Sequence, residues 1–258
     1  MGDRPAYNLT ELLACAAAGL LEDGCSVFVG NGFPILAAML AQRTHAPGLM
    51  IIFEAGGIGP QVPVLPISVG DARTYFKASA ASSMHDVMSA AQAGYLDYGF
   101  LGGAAMDPYG NVNTTVIGDW AHPTTRLPGS GGANDVGSFC WRTIYVLRKQ
   151  SPRTFVRKLD FLTTPGYLDG PGARERAGLP AGTGPFRVIT QLGIYGFEER
   201  SKRLQLLTLH PGVTRAQVRE ASGFEILEPG QVDVTPEPTG EQLKIVREID
   251  PQGLVIGK

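Results

Sequence analysis

A carboxylate stands where an apolar run breaks into small residues. The stretch "IIFEAGGIGP", residues 51–60, carries Glu54 straight after Ile51, Ile52 and Phe53, with Ala55, Gly56, Gly57 and Gly59 around the turn. A carboxylate at a strand end, flanked by glycines, can be reached by a bulky electrophile and can act as nucleophile or base. The amides of Gly56 and Gly57 could point at a developing oxyanion. The same residues also suit an ordinary turn whose acid caps the next helix. Spacing alone favours that plainer role, since carboxylates in structural networks are common too. Two further glycine-rich places invite the same pair of readings. One is "GNGFP", residues 30–34, where Asn31 and Phe33 either line a pocket or form a strand-to-helix loop. The other is the middle of the chain, with "GGAAMDPYGNVN" at 102–113 and "PGSGGAND" at 128–135. Consecutive glycines there make either a backbone nest for an anion or a plain tight turn.

Several chemistries are excluded by spacing. "GNGFPI" has Ile35 where the dinucleotide fingerprint needs its third glycine, and no phosphate-binding G-x-x-x-x-G-K-[ST] occurs. Ser130 follows Gly129 directly, so it lacks the G-x-S-x-G elbow of a serine hydrolase. Cys15, Cys25 and Cys140 are far apart and odd in number, with no metal spacing. They fit buried small hydrophobes in a reduced, cytoplasmic compartment. His45, His85 and His210 are scattered and make no ligand set, so no metal is expected. His122 in "AHPTTR" reads as a hydrogen-bonding support. Asp71 and Arg73 in "VGDAR" read as a local ion pair or a tie to a neighbouring loop. In "GPGARER", Arg174 or Arg176 could touch a phosphate, though a solvated turn facing a partner is the expected role.

The elements that must position these residues are legible in outline. At 258 residues and 43% hydrophobic the chain can bury a sizeable core. Its formal charge of −2 argues against nucleic acid or an anionic membrane as partner. The N-terminus lacks the order of a signal peptide. The most apolar stretch, 25–40, is too short to span a bilayer and is broken by Gly30, Asn31, Gly32 and Pro34. Leu12, Leu13, Ala16, Ala17, Leu20 and Leu21 predict a helix opened by Asn8-Leu9-Thr10 and closed by Gly24. Strands follow at "CSVFVG", "LMIIFE", 97–101 and 143–149, with helices at 35–41 and 84–93 between them. Strand, glycine loop and helix in alternation predict an α/β fold with a largely parallel central sheet and covering helices. "FRVITQLGIYGFEERSKRLQLLTLH" predicts successive antiparallel strands turning at "EERSK". "TRAQVREAS" and "TGEQLKIVREID" predict helices. No linker or repeat is visible, so residues 1–258 read as one domain.

The order of the motifs resembles a known family. "FEAGGIGP", then "GGAAMDPYGNVN", then "GSGGAND" are similar to the glutamate, tyrosine-glycine and glycine-rich segments of the B (β) subunit of class I coenzyme A transferases. "IGDWAHPTTRLPGSGGAN" and "TTPGYLDGPGARERAGLP" are similar to the glutaconate CoA-transferase branch. The resemblance covers nearly the whole chain. It implies a CoA-transferase-type (NagB/RpiA-like) fold and Glu54 as a nucleophile that becomes a CoA thioester. It implies that Gly56, Gly57, Gly129, Gly131, Gly132, Ala133 and Asn134 give oxyanion or CoA contacts. It implies an A (α) subunit as partner, in a heterotetramer or hetero-octamer, and coenzyme A thioester as substrate with no permanently bound cofactor. Phe53 and Ala55 depart from the family's usual serine and asparagine. Branches of the same fold hydrolyse or decarboxylate CoA thioesters, and "TLHPGVTRAQVREASGFE" is similar to the steroid-ring-cleaving branch. Hydrolase or lyase chemistry with Glu54 as base, and a non-catalytic CoA-binding subunit, therefore stay open.

Overall fold

The first helix begins at a reciprocal cap. In α1 (Leu9–Ala18) the Asn8 side chain accepts from the Glu11 N–H while the Glu11 carboxylate accepts from the Asn8 N–H, both at 2.9 Å. These details come from a computed structural model that describes residues 6–257. The helix is shorter than the sequence predicts. It closes at Gly19, where the N–H bonds back to Cys15, and Leu20 and Leu21 lie in the following turn. Gly24, expected as the C-cap, instead takes a φ of +73° in the loop before the first strand.

Two compact units form, one from the residues up to Ser89 with those from Pro236 onward, the other from Ala90–Thr235. In the first, β1 (Ser26–Val29) is fully buried and leads through Gly30–Gly32 into α2 (Phe33–Arg43). Pro34 in the first turn of α2 fits there because that N–H has no intrahelical partner. The helix starts two residues earlier than expected, which shortens the "NGFP" loop. β2 (Met50–Phe53) lies parallel to β1, and β3 (Gly57–Ile58) returns antiparallel beside it. β4 (Ala80–Ala81) adds antiparallel to β3. A 3-10 turn, Ala72–Tyr75, lies in the long connection between β3 and β4. α3 (Met84–Gln92) then carries the chain into the second unit.

There the first strand is β5 (Tyr98–Gly102). Two small antiparallel ladders follow, β6 (Ala105–Met106) with β7 (Val112–Asn113), and β8 (Val116–Gly118) with β9 (Pro123–Arg126). α4 (Ala133–Phe139) leads to β10 (Arg142–Leu147), which runs parallel to β5. After the short α5 (Ala173–Arg176), β11 (Pro185–Thr190) pairs parallel with β10. β12 (Gly193–Phe197) and β13 (Leu204–Leu209) extend that sheet as antiparallel strands, and the turn expected at 198–202 lies between them. α6 (Arg215–Glu220) and β14 (Asp233–Val234) complete the unit. The chain then rejoins the first unit as α7 (Gly240–Ile249), which buries Leu243, Val246 and Ile249. Arg247 of α7 meets the buried Glu11 of α1 at 2.7 Å. Burial would raise that carboxyl, but hydrogen bonds from Arg247 and the Asn8 N–H outweigh it and hold the pKa below its ordinary value.

The outcome is the α/β class the sequence predicts. Parallel pairs (β1–β2, β5–β10–β11) are nearly all buried, and antiparallel strands extend them. All three cysteines are free thiols, and burial pushes those of Cys15 and Cys140 up to about 12, as befits packing residues. Among the described residues no helix is long and apolar enough to cross a membrane.

Candidate active site

The register pairs Val29 with Phe53, so β1 and β2 end together. Glu54 and the Gly30–Gly32 loop therefore leave the sheet at the same carboxyl edge, where open α/β sheets place ligands. Glu54 is half-buried and follows directly on the buried Phe53. It occupies the second position of a four-residue turn closed by the Gly56 N–H donating to the Phe53 carbonyl at 2.9 Å. The turn is also held from outside. The Tyr75 hydroxyl donates to the Ala55 carbonyl, and the Ser82 N–H donates to the Gly56 carbonyl at 2.9 Å.

This packing explains the glycines that follow the glutamate. A Cβ on Gly56, whose φ is +115°, would sit 2.0 Å from the Ser82 carbonyl oxygen. One on Gly57 would sit 2.2 Å from the Thr74 carbonyl oxygen. Both residues are glycine because neighbouring backbone approaches too closely for any side chain. The Gly56 N–H is engaged within the turn that carries Glu54.

The connection that braces this turn is itself tied down. Asp71 caps the 3-10 turn by accepting from the Arg73 N–H at 2.9 Å, and its carboxylate meets the Arg73 guanidinium at 2.5 Å. The hydrogen bonds from Arg73 hold that carboxyl well below the usual range. Arg73 also donates to the Leu65 carbonyl at 3.2 Å, so the expected ion pair and the expected loop tie are both present. Asn31 is exposed and accepts from the Val69 N–H at 2.6 Å. Phe33 is 5% exposed and belongs to the core of its unit. These contacts give Asn31 and Phe33 a place in the loop and the core.

The second glycine segment lies in the other unit. Gly129, at φ +95°, and Thr114 exchange two bonds: the Gly129 N–H to the Thr114 carbonyl at 2.8 Å, and Thr114 Oγ1 to the Gly129 carbonyl at 2.9 Å. The Ala133 N–H donates to the Ser130 carbonyl and the Asn134 N–H to Ser130 Oγ. Asn134 Nδ2 reaches the Thr163 carbonyl at 2.9 Å. Gly131 sits exposed at φ +48°, and Gly132 is the N-cap of α4. The amides of Gly129, Ala133 and Asn134 are thus committed to the turn, and among the described residues the Gly131 N–H has no acceptor.

Beneath it the "GGAAMDPYGNVN" segment forms a polar network. Asn111, 5% exposed, donates to Asp107 Oδ2 and the Leu168 carbonyl and accepts from the Gly166 and Leu168 N–H groups. Burial raises the Asp107 carboxyl above its ordinary pKa despite the bonds from Asn111 and Tyr109. Thr163 accepts from the Thr114 N–H and contacts Thr115 Oγ1 at 2.7 Å. Nothing in the spacing of the sequence marks Thr114, Thr163 or Tyr75 as supports, because the partners described for them lie 15 or more residues away along the chain.

One expectation is corrected. Arg174 is 2% exposed and is neither on a solvated turn nor open to a phosphate. Its guanidinium donates to the carbonyls of Gly137, Ser138, Pro165 and Gly166 and to Thr183 Oγ1. Gly137 and Ser138 lie in the last turn of α4, where a cation complements the helix dipole. Burial pulls its pKa below the ordinary arginine value. Arg176 is exposed and bonds its own turn at Pro171. His122 is exposed, and its backbone N–H donates to Asp119. His210 is buried between Thr235 and the Thr190 carbonyl. Among the described residues no group of three or more His, Cys, Asp or Glu is placed to hold a metal.

A family model described as coenzyme A transferase matches residues 10–221. The chain is 42% identical over 246 residues to the B (β) subunit of 3-oxoadipate CoA-transferase from Pseudomonas knackmussii, covering 95% of this chain and 94% of that one. It is 39% identical to the B (β) subunit of glutaconate CoA-transferase from Acidaminococcus fermentans, covering 97% and 96%. The crystal structure of glutaconate coenzyme A-transferase from that organism matches with a TM-score of 0.93 at 37% identity, covering 99% of this chain and 100% of that one. The cholesterol ring-cleaving hydrolase IpdB subunit of Rhodococcus jostii is more distant, 29% identical over 236 residues, covering 86% and 83%.

Proposed function

We propose a function from one premise: this chain belongs to the coenzyme A transferase family. It is the subunit that carries the catalytic glutamate of a two-subunit enzyme, and residues 1–258 act as one functional domain built from its two compact units. The enzyme exchanges CoA between an acyl-CoA and a carboxylic acid. The acid is a dicarboxylate, as 3-oxoadipate and glutaconate are. The observation that carries this reading is Glu54, at the carboxyl edge of two parallel strands on a turn held by Tyr75 and Ser82.

The chemistry runs in balanced steps. The Glu54 carboxylate attacks the thioester carbonyl, and collapse of the tetrahedral oxyanion expels CoA thiolate and leaves an acyl-glutamyl anhydride. The thiolate then attacks the glutamyl carbonyl, which makes a Glu54–CoA thioester and releases the first acid as its carboxylate. The second acid's carboxylate attacks that thioester and the same two steps run in reverse. Covalent catalysis divides one hard exchange into easier ones. The oxyanion's charge needs a hydrogen-bond donor aimed at it. Water has to be kept from both intermediates, because each hydrolyses. Buried Ile51, Ile52 and Phe53 give the turn a dry base.

The partner, the A (α) subunit, supplies the rest of the site, and the purified pair is the species to assay. Co-expressed and given a panel of acyl-CoA esters, the pair turns over only when an acceptor acid is present, and Glu54→Gln abolishes this while CoA still binds. Turnover that needs water and no acceptor would favour the hydrolase reading, which the likeness to the IpdB subunit keeps in view. No turnover with any ester, alongside CoA binding, would favour a binding subunit.

A further inference from the structure

We infer that Tyr75 is a positioning residue for Glu54, its hydroxyl clamping the Ala55–Gly56 peptide unit of the turn that carries the nucleophile. The inference rests on the reading of Glu54 as the nucleophile. The Ala55 carbonyl and the Gly56 N–H belong to one peptide group. Its N–H is bound by the Phe53 carbonyl and its oxygen by the Tyr75 hydroxyl, so the group is held at both ends. Without the second bond this unit has an easy rotation available, because Gly56 has no Cβ and sits at φ +115°. Rotation there would break the Phe53–Gly56 bond that closes the turn on which Glu54 stands.

Tyr75 is built to hold its own position. It ends the 3-10 turn that Asp71 caps by accepting from the Arg73 N–H, and Asp71 is also paired with the Arg73 guanidinium. Thr74, fully buried, donates its hydroxyl to the Asp71 carbonyl at 2.6 Å and presents its own carbonyl against Gly57. The Tyr75 hydroxyl thus holds the Ala55 carbonyl while the Ser82 N–H holds the next one, that of Gly56. This rigidity matters in turnover. In each cycle the Glu54 carboxylate attacks once, and its own carbonyl is then attacked first by the thiolate and later by the acceptor. Near-attack geometry tolerates little displacement, and about 1 Å of error can cost ~10²-fold in rate. A turn that wanders also exposes the glutamyl thioester to water, which cleaves it to the Glu54 carboxylate and free CoA.

The test is Tyr75→Phe, which keeps the ring and removes only the hydroxyl. The assembled pair is compared with wild type and with Glu54→Gln. We expect kcat to fall about 10- to 100-fold with KM for the acyl-CoA changed by less than about threefold. We also expect a larger share of turnovers to end in hydrolysis, read as free CoA released per acyl group transferred. Trapping with hydroxylamine should still mark Glu54, more slowly. Unchanged kcat and an unchanged hydrolysed share would overturn the inference. So would a fall in kcat matched by an equal loss of acyl-CoA affinity or by a lower melting temperature, since that is what a purely structural tyrosine would give. Failure of the underlying reading looks different: wild type itself would then form no adduct at Glu54.

Discussion

Replacing Gly56 by alanine should damage both the fold of the first unit and the chemistry at its edge. The new Cβ would stand 2.0 Å from the Ser82 carbonyl oxygen and 2.5 Å from its carbonyl carbon, so backbone must move. Forcing packed groups apart costs about 1–3 kcal/mol. Holding a non-glycine residue at a φ of +115° adds strain of about 1–3 kcal/mol. The total, about 4 kcal/mol, corresponds to a fall in melting temperature of about 10 °C for a chain of this size. Gly129→Ala supplies the control: φ is +95°, but a Cβ there has nothing within 4 Å, so only the backbone strain applies. Calorimetry on the assembled pair, with adduct formation at Glu54 followed below the transition, reads both effects. A Gly56→Ala protein that melts like the control and forms the adduct at the wild-type rate would refute the close-approach argument.

Further outcomes follow from other contacts. Gly131→Val should lower turnover about 10²-fold while the melting temperature falls by no more than about 5 °C; an equal loss through unfolding would make the segment a plain tight turn. Arg174→Met strands buried carbonyls at the end of α4 and should cost about 2–4 kcal/mol in a denaturant titration, whereas an unchanged midpoint would remove Arg174 from the framework. Burial lowers the pKa of His210 in the folded chain, so the unfolded chain takes up that proton first as pH falls. Stability should therefore be complete above about pH 6.5 and decline below it until the folded pKa is passed, by up to ~1.4 kcal/mol per pH unit. His210→Gln should flatten that decline, and a variant with the wild-type slope would assign it elsewhere.

The parts legible in the sequence were those with local signals. Short apolar runs placed β1, β2, β5 and β10 nearly where they lie, and the antiparallel extension after Pro185 followed from successive strand-like runs with the turn at 198–202. Helix ends were less legible, because Gly19 closes α1 through its own backbone N–H and Gly24 looked the better cap. Glu54 could be singled out because a charge at the end of a buried strand breaks the apolar pattern. The reason for the glycines beside it could not be read, since Ser82 and Thr74, which crowd them, lie 26 and 17 residues further along the chain. Arg174 was misjudged for the same reason. "GPGARER" is polar and turn-like as a string, and only the fold brings five acceptors around one guanidinium.

Whether Glu54 becomes covalently bound to CoA decides the account most directly. The assembled pair is incubated with an acyl-CoA, quenched, digested and analysed by mass spectrometry, with parallel samples treated with hydroxylamine or borohydride. The account predicts a CoA adduct on the peptide containing Glu54, its conversion by hydroxylamine to the hydroxamate or by borohydride to the alcohol, and inactivation only when acyl-CoA was present. Glu54→Gln should show none of these, and Glu54→Asp should turn over far more slowly because the attacking oxygen is drawn back by one methylene. Catalytic turnover with no adduct on Glu54, or a fully active Glu54→Gln enzyme, would contradict it.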